Sequence, residues 1–121
     1  MHAILLADDS ALMRELLRAQ LASLSPAILE ASDGLRALDL SRLEHPRVAV
    51  LDWDMPGLNG VEVCAQLKAD PATQETRVVI VTASIQDHVQ DDAFGAGADA
   101  FFAKLGDMAT LRQRVAELLA S

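Results

Sequence analysis

Short apolar runs alternate with amphipathic stretches along the whole chain, and this alternation constrains the fold more than any other feature. The five runs read as strands and are Ile4–Ala7, Ala27–Ala31, Val48–Leu51, Val78–Val81 and Ala100–Ala103. The run Val48–Leu51 contains no polar residue, which is typical of a strand buried on both faces. Strands that alternate with helices at this spacing favour a parallel sheet with helices on both sides. We therefore predict an α/β fold of five β-α units, forming one domain over residues 1–121.

The stretches between the runs carry helix signals. Ser10 is expected to cap the first helix, and Asp107 to begin the last. The apolar side chains expected along one side of the first helix are Leu12, Met13, Leu16, Leu17 and Leu21. The second helix is expected to carry Leu35, Leu38 and Leu43 and to end at His45-Pro46.

Bulk composition excludes several classes of function. With 121 residues and 51% apolar content, the chain has the size and the core of one domain. Its net charge of −8 argues against nucleic acid as a direct ligand, because phosphate backbones are bound by excess Lys and Arg. No apolar run reaches the length of a membrane span, and no secretion signal is recognisable. A single cysteine, Cys64, cannot form an internal disulfide, so we expect a cytoplasmic protein.

Polar residues follow four of the predicted strands directly. Asp8 and Asp9 follow the first strand, Asp52 the third, Thr82 the fourth and Lys104 the fifth. Each has an ordinary explanation alone, as a helix cap, a turn residue, a strand-end threonine or a surface lysine. Ligands of open α/β sheets bind outside the carboxyl ends of the strands, where all of these residues would meet. Their joint occurrence therefore favours a functional site.

The residue types at this edge suit phosphoryl chemistry. Asp8, Asp9, Asp52 and Asp54 would repel one another at close range, and a divalent cation would relieve the repulsion. An all-oxygen set that leaves room for water suits Mg²⁺. A carboxylate can accept a phosphoryl group, and an ammonium and a hydroxyl can bind its oxygens.

Four segments, in their order and spacing, resemble the receiver domain of two-component response regulators. The segments are Leu6–Ser10, Leu51–Gly60, Val81–Ala83 and Ala96–Lys104. The Asp-Asp-Ser start, followed by Met13-Arg14, is most similar to the single-domain chemotaxis type. The resemblance implies a flavodoxin-like, doubly wound receiver fold with a five-stranded parallel sheet in the order 2-1-3-4-5.

The resemblance also implies a role for each site residue. Asp52 would be the phosphoacceptor. Asp9 and Asp52 would bind Mg²⁺ directly together with the backbone carbonyl of Asp54, and Asp8 would act through water. Thr82 and Lys104 would bind the phosphoryl group.

A change of partner affinity is implied as well. Phe101 matches the switch aromatic, which turns inward when Thr82 moves toward the phosphate. The face formed by the fourth helix, fifth strand and fifth helix would then bind a downstream protein. The phosphodonor would be a histidine kinase or a histidine phosphotransfer protein. We expect no enzyme activity beyond self-phosphorylation and slow autodephosphorylation, no nucleic acid or membrane partner, and a monomer or weak dimer whose output comes from protein contact or from a domain outside these residues.

One position departs from the family pattern. Leu105 follows Lys104 where receivers usually have proline, often after a cis bond. A cis bond before a residue other than proline costs roughly 2.5–4 kcal/mol. We therefore expect either a trans bond with a rearranged loop or a strained cis bond.

Two other functions remain open at this point. A Mg²⁺-dependent phosphatase of the haloacid-dehalogenase type also uses a strand-end Asp with a second Asp two residues later, as in Asp52-Trp53-Asp54. Pro56 is unusual for that class, and the class does not explain Asp8-Asp9. The other alternative is an interaction module that keeps the receiver fold without being phosphorylated.

Overall fold

A five-stranded parallel sheet forms the centre of the computed structural model, which describes residues 3–83, 87–104 and 106–121. The strands are β1 (Ile4–Ala7), β2 (Ile28–Ala31), β3 (Val48–Asp52), β4 (Arg77–Thr82) and β5 (Ala100–Ala103). They lie side by side in the order β2-β1-β3-β4-β5, and every neighbouring pair is parallel. The order reverses between β1 and β3, so the carboxyl ends of these two strands border a crevice. The predicted fold class and strand order are confirmed.

Five helices cover both faces of the sheet. They are α1 (Ala11–Leu21), α2 (Gly34–Glu44), α3 (Gly60–Ala69), α4 (Asp87–Gly95) and α5 (Met108–Ala120). One core cluster joins the sheet to α2, α3 and α4 through residues such as Leu38, Leu67 and Ala93. The other joins it to α1 and α5 through residues such as Leu17 and Val115. The central strands are apolar except at their ends, because both of their faces are covered.

Short polar side chains cap the helices where they begin. The Ser10 hydroxyl accepts a hydrogen bond from the Met13 amide at 3.2 Å. Asn59 and Glu62 form a reciprocal capping box at the start of α3. Such caps satisfy amides that the helix leaves unbonded and contribute on the order of 1 kcal/mol each.

Two helices bury fewer leucines than the sequence pattern indicates. In α1, Met13, Leu17 and Leu21 are buried, but Leu12 and Leu16 are 67% and 49% exposed. In α2, Leu38 is buried whereas Leu35 and Leu43 are exposed. Residues four apart lie on one stripe, and their neighbours in sequence are rotated by about 100° around the helix axis. The five apolar residues expected along one side of α1 therefore do not share one buried face, because Leu12 and Leu16 lie on its exposed flank.

No helix within the described ranges is both long enough and apolar enough to cross a membrane.

Candidate functional site

Three carboxylates meet where β1 and β3 end. Asp8 and Asp9 follow β1, and Asp52 is the last residue of β3. β1 and β3 are hydrogen-bonded neighbours, with Ala7 opposite Leu51. One oxygen from each of Asp8, Asp9 and Asp52 lies within 4.8 Å of the others. Asp8 and Asp52 are 1% and 2% exposed, whereas Asp9 is open to solvent. The cluster thus consists of two buried carboxylates and one that is accessible to solvent.

Lys104 reaches into this cluster from the end of β5. Its Nζ lies 3.1 Å from Asp8 Oδ2 and 3.1 Å from Asp52 Oδ2. Its backbone amide donates to the Thr82 carbonyl at 2.8 Å, which ties the loop after β5 to the end of β4. Lys104 therefore points toward Asp52. The prediction about the following peptide bond concerns Leu105, which lies outside the described residues.

Burial and charge shift the ionisation of the central pair. Burial, together with the negative charge of Asp8, raises the pKa of Asp52 to about 6, although the hydrogen bond from Lys104 opposes the rise. Burial alone would lower the pKa of Lys104, but hydrogen bonds to Asp8 and Asp52 outweigh it and raise that pKa. The ammonium therefore stays charged, and it compensates two buried acids with one positive charge.

The backbone around Asp52 is closely packed. The Asp54 amide donates to Asp52 Oδ1 at 3.3 Å. The Asp54 side chain is exposed. Among the described residues, it is not one of the three carboxylates that lie within 4.8 Å of one another. A Cβ on Gly60, the first residue of α3, would lie 2.4 Å from the Asp52 carbonyl oxygen. Only glycine allows α3 to begin this close to Asp52.

Thr82 and Phe101 lie on the neighbouring strands. Thr82 ends β4 and is fully buried, and the residue before it, Val81, is opposite Asp52. Phe101 lies in β5 opposite Ile80, is partly buried, and packs against the core cluster under α2, α3 and α4. The topology thus brings Thr82 to the edge that carries Asp52, and Phe101 lies one strand further out. Their switch roles stay predictions.

Arg14 contacts the site although sequence reasoning gave it no role. Its Nη1 donates to the Asp8 carbonyl oxygen at 2.6 Å, and its Nε donates to Glu30 Oε1 at 3.0 Å. The spacing of residues in the sequence does not predict the contact between Arg14 and Asp8. The contact depends on the direction in which the first turn of α1 leaves β1. The only indication in the sequence is that Met13-Arg14 follows the Asp-Asp-Ser start in the resemblance to receivers.

The donor set fits a small divalent cation. Carboxylate oxygens are hard ligands, and two buried acids with one exposed acid leave positions for water and phosphate oxygens. Two buried acids facing one ammonium also leave negative charge that a cation would neutralise. Asp8, Asp9 and Asp52 are therefore the residues that could hold Mg²⁺.

Comparison with known proteins agrees with this arrangement. Residues 4–116 match the family model of the response regulator receiver domain. The chain is 36% identical over 118 residues to the response regulator MprA of Mycobacterium sp. (strain KMS), covering 96% of this chain and 50% of that protein. It is 30% identical to the chemotaxis protein CheY-3 of Vibrio cholerae, covering 93% of this chain and 87% of that protein.

A solved receiver domain has the same architecture. The signal receiver domain of a DNA-binding response regulator from Colwellia psychrerythraea superposes with a TM-score of 0.92 at 27% identity, covering 100% of both chains. The present chain spans about half the length of six of the curated regulators that it matches. The family match over residues 4–116, together with these relatives, shows that the chain belongs to the receiver domain family of two-component response regulators.

Proposed function

We propose that the chain accepts a phosphoryl group on Asp52 from the phosphohistidine of a histidine kinase or a histidine phosphotransfer protein. The observation that carries this proposal is the buried Asp52 carboxylate, which is surrounded by Asp8, Asp9 and the ammonium of Lys104. Receivers are signalling domains rather than metabolic enzymes, so the chemistry is one transfer per signal and not continuous turnover.

In the transfer, a carboxylate oxygen of Asp52 forms a bond to phosphorus while the phosphorus–nitrogen bond of the donor breaks. The donor imidazole keeps that electron pair, and Asp52 becomes an acyl phosphate. Water later attacks phosphorus and returns the free carboxylate and inorganic phosphate, which is the slow autodephosphorylation that we expect. An ionised Asp52 is required, and a pKa of about 6 leaves it ionised at neutral pH.

Mg²⁺ is the cofactor that we propose. Asp9, Asp52 and the backbone carbonyl of Asp54 would hold it directly, and Asp8 would act through water. When bound, the ion would neutralise the phosphoryl oxygens and those carboxylates that Lys104 leaves uncompensated.

Lys104 and Thr82 would bind the phosphoryl group. The Lys104 ammonium already lies 3.1 Å from Asp52 Oδ2, so a phosphoryl group on Asp52 would meet a positive charge within hydrogen-bond range. Movement of Thr82 toward the group would open space for Phe101 to turn inward. The face of α4, β5 and α5 would then change its affinity for a downstream protein by a population shift.

The setting of this receiver is part of the proposal. We propose that residues 1–121 form one receiver domain, acting in the cytoplasm as a monomer or weak dimer. Its relatives include regulators about twice its length and a chemotaxis protein of similar length. The single-domain chemotaxis type and the downstream target therefore stay predictions.

Phosphorylation with a small phosphodonor tests the function. The protein is incubated with acetyl phosphate and Mg²⁺, and intact mass is measured for the wild type, Asp52→Asn and Asp39→Asn. Asp39 is an exposed acid on α2, so its amide variant controls for the loss of one carboxylate elsewhere. We expect one added phosphoryl group in the wild type and Asp39→Asn, and none in Asp52→Asn. Equal labelling of all three proteins would remove Asp52 as the acceptor.

Two further measurements separate the two alternative functions. Steady release of phosphate from a phosphomonoester would favour the phosphatase. No labelling, together with no response of Trp53 fluorescence to Mg²⁺, would favour an interaction module that is not phosphorylated.

A further inference from the structure

Asp8 is fixed through each of its polar atoms. Its amide donates to the Ala31 carbonyl at 3.1 Å, and Oδ1 accepts from the Ser10 amide at 2.9 Å. Oδ2 lies 3.1 Å from Lys104 Nζ. The remaining atom, the carbonyl oxygen, accepts from Arg14 Nη1 at 2.6 Å. Arg14 thus forms a hydrogen bond to the peptide group that joins Asp8 to Asp9.

The Asp9 side chain, unlike that of Asp8, is not held by hydrogen bonds within the part of the chain that the structure describes. Its side chain is exposed, and within residues 3–83, 87–104 and 106–121 its carboxylate makes no hydrogen bond or ion pair. Yet it lies within 4.8 Å of the oxygens of Asp8 and Asp52. Because a peptide group is planar, fixing the direction of the Asp8 carbonyl also fixes the direction of the Asp9 amide. The position of the Asp9 carboxylate therefore depends on the backbone that Arg14 holds.

Glu30 orients the guanidinium of Arg14. Glu30 lies in β2, opposite Leu6 of β1, and its Oε1 accepts from Arg14 Nε at 3.0 Å. Arg18, one turn later on α1, donates to the other oxygen of Glu30 at 2.8 Å. Arg18 also reaches the Ile28 carbonyl at 3.3 Å, but it makes no contact with Asp8 among the described residues. Two arginines on the same helix therefore share one acid, and only one of them bonds the Asp8–Asp9 peptide.

We propose that Arg14 is a positioning residue that presents the Asp9 carboxylate to the divalent cation by clamping the Asp8–Asp9 peptide against Glu30. The inference rests on the proposed function, because it assigns Arg14 to the metal site of that function. The planar guanidinium donates to the carbonyl from Nη1 and to the carboxylate from Nε, so the two bonds have a fixed relative direction. A lysine at this position would keep the charge without this fixed geometry.

Arg14→Gln and Arg18→Gln form a matched pair for the test. Each variant removes one positive charge from α1 and one ion pair to Glu30, so long-range electrostatic effects are alike. The first readout needs no metal and is the NMR shift of the Asp8 carbonyl carbon and the Asp9 amide nitrogen, recorded in EDTA. We expect Arg14→Gln to move both resonances and Arg18→Gln to leave them near their wild-type values. Equal shifts in both variants would overturn the inference.

The second readout is Mg²⁺ affinity, followed by Trp53 fluorescence. We expect Arg14→Gln to weaken binding about 10-fold, the lower end of the range seen when a residue supporting a metal ligand is removed. We expect Arg18→Gln to change it less than about 2-fold. Arg14→Lys should also bind weakly, since charge alone does not restore the clamp. Full recovery in Arg14→Lys would overturn the clamp. A wild type that binds no Mg²⁺ but shows the expected shifts in EDTA would refute the metal site of the proposed function and the presentation to a cation, and leave only the clamp.

Discussion

Lys104 is the residue on which the metal-free acidic site depends. Asp8 and Asp52 are almost fully buried, and both depend on the same ammonium, which is itself only 18% exposed. Two buried carboxylates at this separation repel each other, and a buried charge without a partner is costly. The side chain proposed to bind the phosphoryl group thus also stabilises the protein before any group arrives.

Replacing Lys104 by methionine is expected to destabilise the metal-free protein by roughly 1–3 kcal/mol, because two buried acids lose their shared cation. Mg²⁺ should recover part of this loss by supplying positive charge at the same carboxylates. Urea unfolding with and without Mg²⁺ measures both effects.

Lys68→Met is the control for this prediction. Lys68 is also partly buried and pairs with an acid, Asp99, at 3.0 Å. Its loss should likewise cost stability, but Mg²⁺ should not recover that loss because Asp99 is not part of the acidic cluster. Recovery of both variants to the same extent would show that Mg²⁺ acts on the whole protein rather than at the site.

Cys64 provides a prediction about pH. It is fully buried in α3, and burial raises the pKa of its thiol to about 11 from an ordinary value of 9.0. At about pH 8 the thiolate fraction is therefore about 100-fold lower than for a free thiol, and native Cys64 should react slowly with a disulfide reagent. The protein unfolded in urea should react at once.

The sign of the pH dependence follows from the raised pKa. The neutral thiol is favoured in the folded state, so its contribution to stability is intact below pH 9 and is lost between about pH 9 and 11. Native and unfolded protein reacting at the same rate at about pH 8 would contradict this description of Cys64.

Among the elements, α3 is tightly constrained in where it begins. Gly60 places the first turn of α3 against the backbone of β3, and the Gly60 amide donates to the Trp53 carbonyl at 3.0 Å. The atoms nearest to a hypothetical Cβ are backbone atoms of Asp52 and Trp53, which cannot rotate away as a side chain would. The capping box of Asn59 and Glu62 fixes the helix start from the other side.

Gly60→Ala is therefore expected to destabilise the protein by about 1–3 kcal/mol, in the range of overpacked cores. Gly95→Ala is the matched control, because a Cβ at this last residue of α4 has no atom within 4 Å. It should leave stability unchanged or raise it by up to about 1 kcal/mol, since alanine suits a helix better than glycine. Thermal unfolding of both variants gives the comparison, and a harmless Gly60→Ala would refute the steric argument.

The elements differ in how well the sequence predicts them. β1 and β5 begin and end where the apolar runs do. For β1 the reason is that a fully buried strand is apolar along its whole length. The width of the buried side of α1 could not be predicted, since leucine spacing alone does not say how much of a helix the sheet covers. Leu12 and Leu16 lie on the flank of that stripe and are exposed.

At the scale of the whole molecule, the topology explains why distant residues meet. Parallel strands in the order β2-β1-β3-β4-β5 bring every strand end to one edge, so acids separated by more than forty positions share one cluster. That gathering is predictable from sequence because it needs only strand ends. The contact of Arg14 with Asp8 and the bridging position of Lys104 are not, since both depend on side-chain directions set by packing.

Global stability should therefore depend on Mg²⁺ in a specific way. The chain has a net charge of −8, and the acidic cluster concentrates part of it in a buried place. A ligand that binds only the folded state stabilises it by about 1.4 kcal/mol for each tenfold increase above its dissociation constant. We expect the melting temperature of the wild type to rise steadily with Mg²⁺ concentration, and that of Asp52→Asn to rise much less.

General screening of the negative charge also stabilises an acidic protein, so ionic strength must be held constant with NaCl. Under that condition only site binding separates the two proteins. A wild type and an Asp52→Asn variant with the same dependence on Mg²⁺ would mean that the cation screens the surface and does not occupy the cluster of Asp8, Asp9 and Asp52.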